Sequence, residues 1–290
     1  MISASEVSYF TDGILQGIRA DGRSWGSMRP LNIELGVVPT ANGSCRLESK
    51  AYDIIVAIKC EIGRPTKEKP DEGIVNISVE FGGSVLPRLQ DFTGRQAIIE
   101  ADTLGDIVSE HISSMCISAL NKKRLCIREG RACWISNIDI LIERVDGPIM
   151  DPVSIGIRGA FMDLQLPHVA LEQTEEEDNE ESTVPIVDLM DGMWKIDPAD
   201  SPALCITLGL FGNNEVVMVD LDRIEENLAK QKENCLMTFA INSHGACSGL
   251  HKFGAGSFDP AHMEEIISAA QDLGKKLGAL FQTLSARVVN

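Results

Sequence analysis

The chain has 290 residues, 44% of them apolar, and a formal net charge of −17. That is enough apolar material for one large core or two modest ones, so a fibrous or wholly disordered chain is excluded. No apolar run nears the roughly 18 residues of a membrane span, and a surface this acidic excludes a grip on nucleic acid through bulk electrostatics. No secretory signal and no membrane partner are expected, because Glu6 and Asp12 stand where a basic region and an apolar run would be needed. Eight cysteines are scattered without a C-x-x-C pair or a His at zinc-ligand spacing. Most lie in apolar runs and read as small core residues of a reducing compartment, cytosol or nucleus.

In chain order, Ser3 to Arg19 reads as a helix. Ser3 and Glu6 form a capping-box pair, Val7, Phe10, Ile14 and Ile18 share a face, and Gly22 is the expected stop. Strands follow at Leu31–Val38, Ser44–Ser49, Asp53–Ile62 and Ile74–Phe81, separated by turn residues such as Ala41-Asn42-Gly43 and a loop running from Pro65 to Pro70. A helix covers Gly94 to Met115, then strands Arg124–Arg128 and Ala132–Arg144. In the latter, Ile138, Ile140 and Ile142 alternate with Asn137, Asp139 and Leu141. Asp151-Pro152 opens the next helix, with Asp as the expected cap, Val153, Ile157, Phe161 and Leu164 on one side, and Pro167 marking the stop.

Residues 172 to 181, E-Q-T-E-E-E-D-N-E-E, hold seven acids and no base. Such a run repels itself and reads as a flexible connector, 172–183, between halves 1–171 and 184–290. The second half repeats the plan. Strands are expected at Val184–Leu189, Ala203–Phe211, Glu215–Leu221, Asn234–Asn242 and Ala246–Phe253. Asp259-Pro260 then opens a helix with a wide apolar stripe from Met263 to Leu284. Strands followed by a long helix, twice, place the chain in the α+β class with a plausible internal duplication.

The stretch V-V-M-V-D-L-D-R-I-E-E-N-L-A-K-Q-K, Val216 to Lys232, poses the functional question. It passes from a buried strand to clustered carboxylates, Asp220, Asp222, Glu225 and Glu226, and then to Lys230 and Lys232. Clustered carboxylates at a strand end suit a metal-dependent phosphate enzyme, whereas ammonium groups beside them do not. Read without a relative in view, residues 220–233 are most simply a solvated helix start or loop of mixed charge.

Arg19-Ala-Asp21-Gly22-Arg23, Arg29-Pro30, Gly43-Ser44, Cys60-Glu61-Ile62-Gly63-Arg64-Pro65, Pro70-Asp71-Glu72-Gly73 and Asp146-Gly147 stand in an order that resembles the ribonuclease PH family, in particular ring subunits of the eukaryotic RNA exosome. The resemblance runs over nearly the whole chain. It implies the ribonuclease PH fold, with duplicated βα halves of the ribosomal protein S5 domain 2-like kind.

The family's chemistry is phosphorolysis of RNA from the 3′ end, which needs a cradle for the attacking phosphate and a metal or acid for the developing charge. Active members are expected to carry Gly-Thr-Arg after an Asp-Gly, and two Asp residues six apart downstream of a Val-Asp-Leu-Asp strand end. Here Pro148, Ile149 and Met150 follow Asp146-Gly147, and the acid pair reads Glu226 and Lys232. Pro148 lacks an N–H, Ile149 a hydroxyl and Met150 a charge, and a protonated lysine repels a divalent cation. The resemblance therefore implies a non-catalytic subunit with no catalytic residue, metal ligand or cofactor.

Its implied partners are other ribonuclease PH-like ring subunits, RNA-binding cap subunits, associated nucleases, and single-stranded RNA threaded through the assembled channel. Its implied locations are nucleus, nucleolus and cytoplasm, with processing of ribosomal RNA precursors among its work. Arg64, Lys67 and Lys69, on a loop that in the family lies near the channel mouth, are the expected RNA contacts. The plainer alternative is a solvated loop paired with Glu68 and Asp71. Lys122-Lys123-Arg124 reads as an exposed turn, and Asp102, Asp106 and Glu110 on one helix face oppose RNA. Two other readings stay open. An active phosphate-dependent 3′-to-5′ exoribonuclease would release nucleoside diphosphates, and a solitary RNA-binding module would bind RNA tightly and salt-sensitively.

Overall fold

A computed structural model describes residues 4–83, 85, 95–171, 185–212 and 215–288. The acidic connector expected at 172–183, the Ser3 cap, Gly94 and Val184 lie outside the described residues. Among those described, no helix is long and apolar enough to cross a membrane.

The first half is built on a sheet of β1 (Asn32–Leu35), β2 (Gly43–Glu48), β3 (Asp53–Gly63), β6 (Ala132–Arg144) and β4 (Ile74–Phe81), in that spatial order, with β5 (Cys126–Arg128) also paired to β6. Neighbours run antiparallel except β4, which lies parallel to β6. The alternation expected in β6 is realised: Ile138, Ile140 and Ile142 are buried against Ile54, Val56 and Ile58 of β3, while Asp139 faces solvent. Each such fully buried aliphatic contributes about 1.5–3 kcal/mol relative to exposure. The second half holds β10 (Val216–Val219), β9 (Leu204–Phe211), β11 (Cys235–Ile241) and β12 (Cys247–Phe253), all antiparallel. A separate hairpin, β7 (Leu166–Leu171) with β8 (Pro185–Trp194), lies between them in sequence. The α+β class is thus observed.

Helix α3 (Met150–Asp163) is the element that joins the halves. Every residue from Pro152 to Phe161 is buried, which is the signature of a helix covered on all sides. Ile157 and Phe161 pack into the core of the first sheet. Ile155 instead joins the core formed by Leu204, Ile206 and Leu208 of β9 and by the last helix, α5 (Met263–Val288). Helix α2 (Arg95–Met115) covers β4 through Val108 and Ile112.

Three local expectations are corrected. Helix α1 spans Ala4–Leu15, not the run to Arg19. Gly17 takes φ +84°, and the Ile18 and Gly17 amides donate to the carbonyls of Gly13 and Ile14, a Schellman stop ahead of Gly22 that leaves Ile18 exposed. Asp151 is not the cap of α3. The N-cap is Ile149, with no side-chain hydrogen bond, because the Asp151 carboxyl is turned inward to accept from the Thr207 amide at 2.9 Å. The chain past Pro167 continues as a strand, β7, rather than simply ending the helix. By contrast Asp259 does cap, accepting from the Ala261 amide at 2.9 Å before the one-turn start of α5.

Candidate functional site

The carboxylate stretch begins where β10 ends. Asp220 follows at φ +46°, a left-handed backbone that a short polar side chain tolerates better than most. Asp222 then caps α4 (Arg223–Ala229) in a full capping box, accepting from the Glu225 amide at 2.8 Å while Glu225 accepts from the Asp222 amide at 2.9 Å. The mixed-charge loop or helix start read from sequence is therefore a short, properly capped helix.

Three arginines from the segment after α1 close on this corner. Arg19, with a side chain fully buried, forks onto both oxygens of Glu225 at 2.9 and 2.6 Å and also reaches the carbonyls of Val219 and Asp220. Arg23 donates to Asp220 Oδ2 at 2.8 Å, and Arg29 to Asp220 Oδ1 at 2.6 Å. The Tyr52 hydroxyl donates to the same Oδ1 at 3.0 Å. Arg29 further holds Asp146 through its carbonyl at 3.0 Å and its carboxylate at 3.3 Å. Burial would raise the pKa of Asp220, but the hydrogen bonds and charges of Arg29 and Arg23 overrule it and hold the carboxyl below its ordinary value. Burial likewise opposes the charge on Arg29, yet Asp220 raises its pKa on balance. Bidentate arginine–carboxylate pairs of this kind are strong and geometrically fixed.

Two positions to which the resemblance assigns phosphate and metal binding are the start of α3 and the pair Glu226 and Lys232. At the start of α3, Gly147 adopts φ +108° against the Leu221 carbonyl, and Pro148 and Met150 are buried. Pro148 offers no N–H and neither residue carries charge, so that helix start presents an apolar plug instead of an anion cradle. Glu226 is held by Lys230 in an ion pair at 2.7 Å. Lys232 is exposed and forms no ion pair among the described residues. Every carboxylate of the stretch is already engaged by this chain's own donors, and no three His, Cys, Asp or Glu side chains among the described residues converge on a common point. These residues do not fit a divalent cation.

Asp151 lies behind this corner, half-buried, with its carboxyl turned inward onto Thr207. Burial, together with the charges of Asp220 and Glu226, pushes its pKa up to about 7 against the opposing hydrogen bonds of Thr207. Thr207 Oγ1 in turn bonds Thr238 Oγ1 at 2.8 Å, so the first half's helix is tied to β9 and β11 by one carboxyl and two hydroxyls.

Arg64, Lys67 and Lys69 sit elsewhere, on the exposed loop between β3 and β4. Lys69 pairs with Glu72 at 3.1 Å and Asp71 with Lys123 at 2.8 Å, so the partners differ from the Glu68 and Asp71 expected of a self-neutralised loop. Arg64 and Lys67 form no ion pair among the described residues. Lys122 to Leu125 form a short 3-10 turn, with Arg124 bound to Asp200 at 3.0 Å. Asp102, Asp106 and Glu110 are exposed on α2. The sequence reading found the arginine motif but not its targets. A signal was present: three arginines within eleven residues of an acidic chain, and a strand-end carboxylate that had to be neutralised.

Residues 27–167 match the 3′ exoribonuclease family, domain 1, and residues 201–272 its domain 2. The chain belongs to this RNase PH family. Its RNase PH relatives include the exosome complex component Rrp42 of Methanocella arvoryzae, 26% identical over 257 residues that cover 89% of this chain and 88% of that one. The Rrp42 component of Methanopyrus kandleri is 26% identical over 275 residues, 95% of this chain and 94% of that one. The RNase PH fold is shared with a chain of the Archaeoglobus fulgidus exosome with RNA bound to the active site, at a TM-score of 0.70 and 20% identity, covering 95% of this chain and 97% of that one. Rice Rrp46 has the same fold at a TM-score of 0.59 and 13% identity, covering 92% and 100%.

Proposed function

We propose that this chain is a non-catalytic subunit of the hexameric RNase PH-like ring of a eukaryotic RNA exosome. In that ring it would wall part of the channel through which single-stranded RNA is threaded for 3′-to-5′ processing and degradation, ribosomal RNA included. The observation that carries the reading is the occupation of the site from within. The helix start where phosphate would sit is plugged by Pro148, Ile149 and Met150. The strand-end carboxylates are bound by Arg19, Arg23, Arg29 and Lys230. Names of the relatives support the assembly, since two are exosome components and one solved structure holds RNA.

The corner that relatives resembling active enzymes would use for chemistry serves here as a staple, fixing the segment after α1 and the Asp146 turn to the second half. The ring neighbours are related RNase PH-like subunits. RNA-binding cap subunits, associated nucleases and a nuclear, nucleolar and cytoplasmic distribution follow from the same reading. Co-expression with RNase PH-like ring subunits tests it. The chain is expected to leave its free form and elute in a ring-sized particle; a stable monomer that ignores those subunits would overturn the proposal.

A further inference from the structure

We infer that one end of the first sheet carries a continuous surface for the sugar-phosphate backbone of single-stranded RNA, larger than the loop 64–70, with Arg128 and Arg131 as its second half. The inference rests on the reading above that the chain handles RNA. Residues 61–73 and 122–132 hold eight cations against five carboxylates, in a chain whose net charge is −17. The fold gathers these two segments. Gly63 at the end of β3 is opposite Cys133, and Arg128 is opposite Ala132 across the β5–β6 turn. With strands about 4.8 Å apart, Arg64 and Arg128 leave the sheet on either side of the first residues of β6. The loop then folds back on the turn: the Gly130 amide donates to the Pro70 carbonyl at 2.9 Å, and the Gly73 amide to the Lys122 carbonyl at 2.9 Å.

Ion pairing sorts the cations. Lys69, Lys123 and Arg124 are bound to Glu72, Asp71 and Asp200. Arg64, Lys67, Arg128 and Arg131 make no ion pair among the described residues, Arg128 being half-buried and the other three exposed. Lys122 also makes no ion pair among the described residues, and three carboxylates, Glu61, Glu68 and Glu129, stand among these cations without one, so the free charge is positive on balance, five against three. Guanidinium forks with no ion-pair partner among the described residues, beside a loop already expected to touch RNA, suit the phosphates of a flexible single strand. They do not select sequence, because phosphate contacts position without specifying.

The test is fluorescence anisotropy of the full-length chain with a 5′-labelled oligoadenylate across a salt series. Single-stranded binding loses about 0.7 in log–log salt slope per phosphate contact. Arg128→Ala with Arg131→Ala is therefore expected to reduce the slope by about 1.4 and weaken binding about 25-fold near 0.1 M salt. Arg64→Ala with Lys67→Ala should have a comparable effect, and Arg128→Lys with Arg131→Lys should retain most of the slope. Unchanged binding and slope on loss of Arg128 and Arg131 would overturn the inference. So would absence of binding at low salt, or displacement by polyglutamate as effective as by RNA at equal charge. Ring entry of each variant, followed in the same preparations by co-expression, reports on the functional reading separately: a chain that joins the ring but binds RNA without these arginines sinks only the present inference.

Discussion

Asp220 shows how one side chain decides the character of a whole corner. Its oxygens receive Arg23, Arg29 and Tyr52, and its backbone is held at φ +46°. Asp220→Asn keeps the shape but removes the buried charge that Arg23 and Arg29 share, leaving them only the more exposed carboxylates of Asp21 and Asp146. Breaking a buried pair from one side costs about 3–5 kcal/mol, and urea unfolding should register a loss of that order. Because its folded pKa is depressed, the Asp220 contribution is present above the unfolded carboxyl value and disappears as pH falls through the folded one.

Asp151 has the opposite sign. Its pKa is pushed up to about 7 from 3.8, so the folded chain binds a proton that the unfolded chain has released. Stability from this group therefore declines as pH rises from about 4 to about 7, by of order 4 kcal/mol, and stays low above that. An asparagine can accept from the Thr207 amide and donate to its hydroxyl, as the protonated acid does. Asp151→Asn is expected to flatten the pH dependence of Tm in that window and to raise Tm at pH 8. An unchanged profile would refute the inward-turned, proton-holding carboxyl.

At the scale of elements, the strands were legible where one face is buried. β4 and β6 match their expected limits, Ile74–Phe81 and Ala132–Arg144, because alternation or sustained β-branching leaves no competing pattern. What sequence rules misread were features fixed by distant partners. Asp151-Pro152 looks like a cap because local rules see only neighbours, whereas its acceptor role belongs to Thr207, 56 residues away. Gly22 is the expected stop, but Gly17 ends the helix, with Ile14 packed into a core with Phe211 and Met218. The parallel placement of β4 and the β7–β8 hairpin depend on pairing across the chain and left no local mark. The turn at Gly147 is a tight joint between the halves: a Cβ there would collide with the Leu221 carbonyl, and the φ of +108° is costly for any other residue. Gly147→Ala is expected to lower stability by about 1–3 kcal/mol or more, measurable as a drop in urea midpoint without a change in m-value.

The whole molecule keeps a fold that its relatives share, and on the proposed reading the groups at its centre serve structure instead of chemistry. Motif order in the sequence was enough to suggest the family, and the family match over 27–167 and 201–272 establishes it. On the proposed reading Lys232 stands where the family's chemistry would need a metal ligand, a position given by the sequence alone. The use to which the remaining carboxylates are put could not be read there, since the arginines that bind them lie about 200 residues away in sequence. The same arrangement explains why an acidic chain retains Arg19, Arg23 and Arg29 in a buried corner: they hold the two halves in register, and the proposed ring assembly needs that register.

The central claim is catalytic silence, and the purified chain incubated with single-stranded RNA, magnesium and orthophosphate tests it most directly. No nucleoside diphosphate above the level of an RNA-free control is expected. Release of nucleoside diphosphates that Glu226→Ala abolishes would contradict the account.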